Sequence, residues 1–546
     1  MTHVTSVRAR SRGEAVSEPT PTLQGRGMTM SDMLARHARK TPEVWAVRFD
    51  GGGRTYRELD ERVTRLARAL QQRGVRTGDR VAVLALNGME TWEAYLAGVR
   101  LGAVVVPVNF RLVADEVAYA LSDSGAVALV VDTALAPVAE KALERAPEVR
   151  SVLVIGPGTV GAASESYEEA LAAAGADPLG IEVDEDAAAF IMYTSGTTGR
   201  PKGAVLTHHN LLLHCFSQIT TLGWTPDDTV NAPGAPLFHI AGLAGGLPPL
   251  LLGGTNVIMK SGGFDPVETL DMIERERITS IFLVPAMWAA LVAVPGVKDR
   301  DLSFLRRISW GAAPASTTLL RTMINTFPQA EVVTAFGQTE CSPVTCLLRG
   351  EDSVRKIGSV GTPILNVEVR VVDPFMNDVP QGEVGEIVYR SPMVMKEYWN
   401  KPEATAEAFE GGWFHSGDLV RQDEEGYIYV VDRKKDMIIS GGENIYCAEV
   451  EDVLAAHPKV AEVALIGVPD PRYGEAPLAV VAPRDVNDPP TSDELGAWCR
   501  ERLARYKNPR EYSIVGALPR NPSGKVLKTS LRQEHSAGSL VAQPVV

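Results

Sequence analysis

The sequence predicts an α/β fold, followed by a β-rich region and a last compact α+β unit. Three observations carry this. From Met30 onward, short apolar runs alternate with amphipathic helical stretches. Near Val367 the texture changes to brief strands between Pro, Gly and Asp turns, and after Asp432 a fresh helix-and-strand pattern begins. In order, residues 31–39 and 55–73 read as helices, the second opening with Thr55 and Glu58 at capping-box spacing. Residues 81–86 read as a buried strand, 92–101 as a helix and 104–108 as a strand, and 127–131 and 152–155 continue the rhythm. Such apolar runs suit parallel strands covered on both faces. Residues 367–372, 385–389 and 427–431 are the strands of the β-rich region. The last unit holds a hairpin-like stretch, helices at 448–456 and 492–503, and strands at 463–468 and 478–483. A boundary falls near 432–436, and there is no internal repeat.

Composition narrows the classes. The chain has 546 residues, 45% of them hydrophobic, with 54 basic and 68 acidic side chains and a net charge of −14. An acidic protein is repelled by nucleic acid and anionic membranes, so neither is an expected partner. Five scattered cysteines, odd in number and without a C-x-x-C pair, point to a reduced cytoplasm and to no zinc site. The longest apolar stretch, 240–252, carries Pro248 and Pro249 and suits a buried segment better than a transmembrane one, so a soluble chain is expected. Residues 1–27 mix Arg8, Arg10 and Arg12 with Ser, Pro and Gly; Glu14 and Glu18 are out of place in a transit peptide, and a disordered leader is expected.

The densest chemical signal is Tyr-Thr-Ser-Gly-Thr-Thr-Gly-Arg-Pro-Lys-Gly at 193–203, a loop leaving the apolar run 187–192. Gly196, Gly199 and Gly203 let backbone N–H groups converge on an anion, while Thr194, Ser195, Thr197 and Thr198 add hydroxyl donors. Lys202 supplies a point charge. This is a polyphosphate cradle but not a Walker A loop, because Pro201 and Gly203 stand where that loop needs Gly and Ser/Thr.

These eleven residues resemble the signature of the acyl-adenylate-forming (AMP-binding) superfamily, and its other motifs follow in order over roughly residues 30 to 530. The resemblance is greatest to bacterial fatty-acid and acyl-CoA ligases. It implies a large N-terminal domain, 28–434, of two helix-flanked sheets plus a small β-barrel-like region. A small mobile lid, 435–535, and a tail, 536–546, would follow. Pro-Leu-Phe-His-Ile-Ala-Gly-Leu at 236–243 resembles the second motif, which implies His239 at the mouth of an acyl pocket with Gly242 beside it. Ser-Trp-Gly-Ala-Ala-Pro at 309–314 resembles the adenine-flanking segment, implying that Gly311, Ala312 and Ala313 meet the base and that Trp310 shapes the base or acyl pocket or simply packs in the core.

Ala-Phe-Gly-Gln-Thr-Glu at 335–340 resembles the Tyr-Gly-x-Thr-Glu motif. It implies that Phe336 stacks on adenine without a phenol, that Thr339 donates to the α-phosphate and that Glu340 holds Mg²⁺. Ser-Gly-Asp at 416–418 resembles the ribose motif, with Asp418 and Arg433 implied on either side of the sugar; Lys434 reads as a solvated charge. Lys435 matches the hinge position. Gly441 and Gly442 would lie in a strand that the pantetheine arm of coenzyme A approaches closely, and Cys447 stands where the family commonly has Pro. Lys525, in the last motif, would bridge carboxylate and α-phosphate oxygens as charge develops.

The resemblance therefore implies a two-step ligase using ATP, Mg²⁺ and coenzyme A, with Lys525, Thr194, Thr339 and Glu340 catalytic. The substrate is expected to be a fatty or aryl acid: 236–243 lacks the acidic residue that an amino acid would need, and Leu243, Gly245 and Gly246 suggest an open, apolar pocket. Two rivals share the motifs, an enzyme loading a separate carrier protein and a nucleotide-binding regulator without catalysis. Only 21 residues follow Lys525, so no carrier domain is expected there; a homodimer is left open.

Overall fold

The computed structural model describes residues 27–161, 164–194, 200–226, 229–312, 315–520 and 526–544. The expected leader, apart from Gly27, lies outside them, as do Ala313, Lys525 and residues 195–199 of the phosphate motif.

Side-chain alternation along Arg80–Leu84 shows how the first sheet is built. Val81 and Val83 enter one buried cluster and Ala82 and Leu84 another, so both faces are covered and no polar alternation survives in the sequence. This strand pairs in parallel with Val104–Pro107 on one side and Ala126–Asp132 on the other. Ser151–Ile155 and Ser164–Ser166 continue the sheet in parallel. On the opposite flank, Ala188–Thr194 turns back antiparallel to Lys202–Thr207, which in turn receives the two-residue strand Glu397–Tyr398.

The second sheet has nine strands around a parallel core in which Arg307–Gly311 lies between Ser280–Phe282 and Glu331–Gly337. Ile308 and Trp310 face the helices Pro266–Glu276, Pro285–Val292 and Thr317–Thr326, whereas Arg307 and Ser309 face the side of the helix His208–Leu222. The region expected to be barrel-like is an open antiparallel sheet of four strands, Glu368–Val372, Gly385–Arg390, Phe414–Gln422 and Ile428–Arg433. Its two outer strands do not pair, and the edge at Ile428 is bridged to Gly361.

The helix Tyr56–Gln72 starts as its capping box predicts, with Thr55 and Glu58 exchanging side-chain and backbone bonds. The helix Met89–Arg100 begins a turn earlier than expected; its N-cap is Gly88, which makes no side-chain bond and leaves no signal in the sequence. From Ile438 onward the chain builds its own six-stranded sheet and two cores. The expected strands 463–468 and 478–483 are the middles of a longer hairpin, Val460–Asp470 with Gly474–Pro483. All five cysteines are buried and free. Among the described residues no helix is long and apolar enough to cross a membrane.

Candidate active site

The phosphate motif enters from Ala188–Thr194 and leaves into Lys202–Thr207, so strand pairing places Thr194 directly opposite Lys202. The adjoining strand brings Tyr398 to both: its hydroxyl donates to Glu340 Oε1 at 2.9 Å, and its ring lies 5.1 Å from Lys202 Nζ. Thr194 Oγ1 stands 3.4 Å from the same carboxylate oxygen. Glu340, on the short 3₁₀ turn Thr339–Cys341, is itself tied by its carbonyl, which accepts from Met395 N–H at 2.6 Å. Two residues distant in the chain, Thr194 and Tyr398, thus converge on one buried carboxylate, and the Lys202 ammonium lies against the Tyr398 ring.

The loop's flanks are anchored by a group the sequence did not announce. Asp123 accepts from Tyr193 at 2.8 Å and Tyr119 at 3.3 Å, and pairs with Lys401 at 3.0 Å. Tyr119 and Tyr193 come from different elements, so only folding shows that they share a partner.

A second constellation lies on the four-stranded sheet. Register sets Asp418 opposite Arg433, and the two pair at 2.6 Å. Beneath them Glu386, 6% exposed, accepts from Gly417 N–H at 3.0 Å and meets His415 at 3.1 Å and Lys434 at 2.9 Å. Burial alone would raise its pKa, yet Lys434 and His415 outweigh that and hold it below the ordinary carboxylate value. Lys434, expected to be a solvated charge, therefore has a structural partner. Cys341 lies between the two constellations: burial raises its thiol pKa, and the Glu340 and Asp418 carboxylates both add to the rise.

The acyl-side candidates divide. His239 caps the short helix Ile240–Gly245, and its Nδ1 accepts from Ala241 N–H at 3.2 Å, so the neutral ring carries its proton on Nε2. Gly242 does not face a cavity: a Cβ there would stand 2.2 Å from the Pro236 carbonyl, so glycine is needed for close packing. Trp310 is turned away from Ser309's face and packs among Ile308, Trp288 and Met323. Gly311 closely approaches the Ala335 carbonyl, Ala312 is exposed at φ 67°, and Phe336 is half-buried against the main core.

The residues expected to open an apolar pocket are placed differently from one another. Leu243 is fully buried, and Gly246 packs on Trp92. Gly245 lines a cavity of about 60 Å³ whose wall joins apolar residues such as Phe282, Val333 and Leu347 to His214, Gln218 and Arg307.

At the hinge position, Lys435 occupies the turn between Ile428–Arg433 and Ile438–Ser440. Gly441 and Gly442 are not in a strand, as expected, but form the two-residue turn of a hairpin. Both have positive φ, 63° and 88°, which the tight turn demands and which glycine tolerates. Cys447 explains the missing proline. Its N–H donates to the buried Asp432 carboxylate, a bond proline could not make, and its Sγ donates to the Asp436 carbonyl at 2.9 Å.

With this geometry in hand, two family models match the chain: "AMP-binding enzyme" over residues 34–399 and "AMP-binding enzyme C-terminal domain" over 449–525. The chain belongs to the AMP-binding enzyme family. A feruloyl-CoA synthase from an Amycolatopsis species is 43% identical over 93% of this chain and 99% of its own length. The long-chain-fatty-acid–CoA ligase FadD13 of Mycobacterium tuberculosis is 39% identical over 88% and 93%. Among solved structures, the o-succinylbenzoate CoA synthetase of Bacillus subtilis in complex with its acyl-adenylate superposes with a TM-score of 0.82. It is 34% identical and covers 92% of this chain and 97% of its own. The family's use of ATP and Mg²⁺ fits the donor set found here. The Glu340 carboxylate and the Thr194 hydroxyl are oxygen donors, the ligand type that a hard dication takes.

Proposed function

We infer that this AMP-binding enzyme is an ATP-dependent, AMP-forming acid–CoA ligase acting on a fatty or aryl carboxylic acid. The observation that carries the reading is the convergence of Thr194 and Tyr398 on Glu340, with Lys202 against the Tyr398 ring, beside the Asp418–Arg433 pair. In the first step a substrate carboxylate oxygen bonds the α-phosphorus of ATP, and the bond to the β-phosphate oxygen breaks, releasing pyrophosphate. Lys202, Thr194 and the motif residues Ser195, Gly196, Thr197, Thr198 and Gly199 would hold the leaving phosphates. Thr339 and Lys525 would face the α-phosphate, Asp418 and Arg433 the ribose, and Gly311, Ala312, Ala313 and Phe336 the base. Glu340 would hold Mg²⁺, which supplies charge neutralisation at the phosphate oxygens when bound.

In the second step the thiol sulfur of coenzyme A bonds the acyl carbon, AMP leaves, and the thiol proton passes to solvent. The proposed division at 434/435 lets a turn about Lys435 withdraw Lys525 and bring the Gly441–Gly442 hairpin to the site. The reading places the enzyme in the cytoplasm, where five free thiols stay reduced; sedimentation velocity reads whether it forms a homodimer.

The test is to assay the two half-reactions separately. Lys525→Ala is expected to lose acid-dependent ATP–pyrophosphate exchange by about a hundredfold or more, yet still convert a supplied acyl-adenylate to thioester. Equal loss of both steps would remove domain alternation from the reading, and AMP release indifferent to coenzyme A would point to a carrier protein as acceptor.

A further inference from the structure

Tyr119 and Asp123 stand one turn apart on the helix Ala114–Ser124, so both side chains leave the same face. There they meet the ends of the paired strands Ala188–Thr194 and Lys202–Thr207. On the entry side, the Tyr193 hydroxyl donates to Asp123 Oδ2 at 2.8 Å. On the exit side, the Tyr119 hydroxyl lies 3.0 Å from the Pro201 carbonyl and 3.3 Å from Asp123 Oδ1. Tyr119 has one proton to give, so these two acceptors share it in a three-centre bond. Arg200 adds to the same contact, with its guanidinium 5.2 Å from the Tyr119 ring centroid.

The carboxylate is the centre of this arrangement. The Asp123 side chain is 12% exposed and also pairs with Lys401 at 3.0 Å. Burial and the Asp123 carboxylate both push the Tyr119 and Tyr193 pKa values up, so each remains a phenol and a donor. The helix end that carries the carboxylate is itself fixed. Trp399 Nε1 donates to the Asp123 carbonyl at 3.1 Å, and Arg80 donates to the Ser124 and Gly125 carbonyls at 2.7 Å each. Tyr193 directly precedes Thr194 and Pro201 directly precedes Lys202, the two residues that face each other across the strand pair. One carboxylate and two phenols therefore anchor the backbone on either side of the candidate phosphate ligands.

We propose that Asp123 and Tyr119 are positioning residues for the leaving phosphates of ATP, acting through the backbone beside Thr194 and Lys202. The proposal rests on the reading of Thr194 and Lys202 above. A hydroxyl and an ammonium hold phosphate oxygens well only at set distances, so a loosened anchor weakens that grip without removing a ligand. The β- and γ-phosphates leave as pyrophosphate in the first step and take no part when a thiol attacks the acyl-adenylate. Their positioning therefore matters to one half-reaction, whereas a general loss of structure reaches both.

The experiment compares the full-length enzyme with Tyr119→Phe and Asp123→Asn. The first keeps the ring beside Arg200 and removes the bond to Pro201; the second keeps the shape and removes the charge and one acceptor oxygen. Both residues are only partly buried, so neither change empties the core. In exchange assays with cinnamate or decanoate, KM for ATP and for pyrophosphate should rise by about three- to tenfold in each variant. KM for the acid should change by less than about twofold, as should the rate of thioester formation from cinnamoyl- or decanoyl-adenylate. ATP binding, read by titration calorimetry, should weaken in step with KM. Unchanged ATP affinity and pyrophosphate KM overturn the proposal. So does an equal fall in both half-reactions, the mark of a purely structural role. A wild-type enzyme without exchange, whose ATP affinity still drops in the variants, would sink the ligase reading and leave this positioning role standing.

Discussion

Glu386 takes three partners, the Gly417 amide, His415 and Lys434, and so fixes the loop that presents Asp418. Because its partners hold its folded-state pKa below the ordinary value of 4.5, the stabilisation is full above about pH 4.5 and is lost as pH falls through the folded pKa. Glu386→Gln should cost about 1–2 kcal/mol near neutrality, discounted because Lys434 is half exposed. Urea unfolding of both proteins should show that difference shrinking below about pH 4, and the variant's KM for ATP should rise. A pH-independent difference would assign the effect to packing. Sequence patterns made Asp418 legible through its Ser-Gly-Asp setting, whereas Glu386 stands in an ordinary strand and is identified only by what folds against it.

At the scale of elements, the helix His208–Leu222 carries two imidazoles that burial pushes down, His208 to about 4 and His214 to about 3. Both stay neutral in the folded state while the unfolded chain protonates them below about pH 6.5. Stability is therefore unaffected above that value and falls on acidification, by up to about 1.4 kcal/mol per pH unit for each group. Urea midpoints between pH 7.5 and 5 read the slope, and His208→Leu should remove about half of it. The helix Tyr56–Gln72 offers a plainer case: Thr55→Ala breaks the capping box and should cost about 1 kcal/mol without changing substrate preference. In the Gly441–Gly442 hairpin, a bulky residue at Gly442 would both obstruct a thiol and strain a φ of 88°. Gly442→Asn, which tolerates that backbone, is the control; thioester formation should fall further in Gly442→Trp than in Gly442→Asn.

For the whole molecule, the Lys435 turn is held on one side by the Cys447 amide, which donates to Asp432, and on the other by the Arg532–Asp436 pair at 3.3 Å. Lys435→Pro fixes φ near −65° and should uncouple the half-reactions, keeping one and losing the other by about a hundredfold; equal retention of both would place the hinge elsewhere. The sequence by itself determined the α/β class, the capped start of the helix Tyr56–Gln72 and the order of the motifs, because these depend on local periodicity and on spacing along the chain. Only tertiary structure decided that Tyr398, Asp123 and Glu386 support the site and that Trp310 faces the core. Strand register and sheet order choose which face a side chain joins, and hydrogen-bond satisfaction depends on partners hundreds of residues apart.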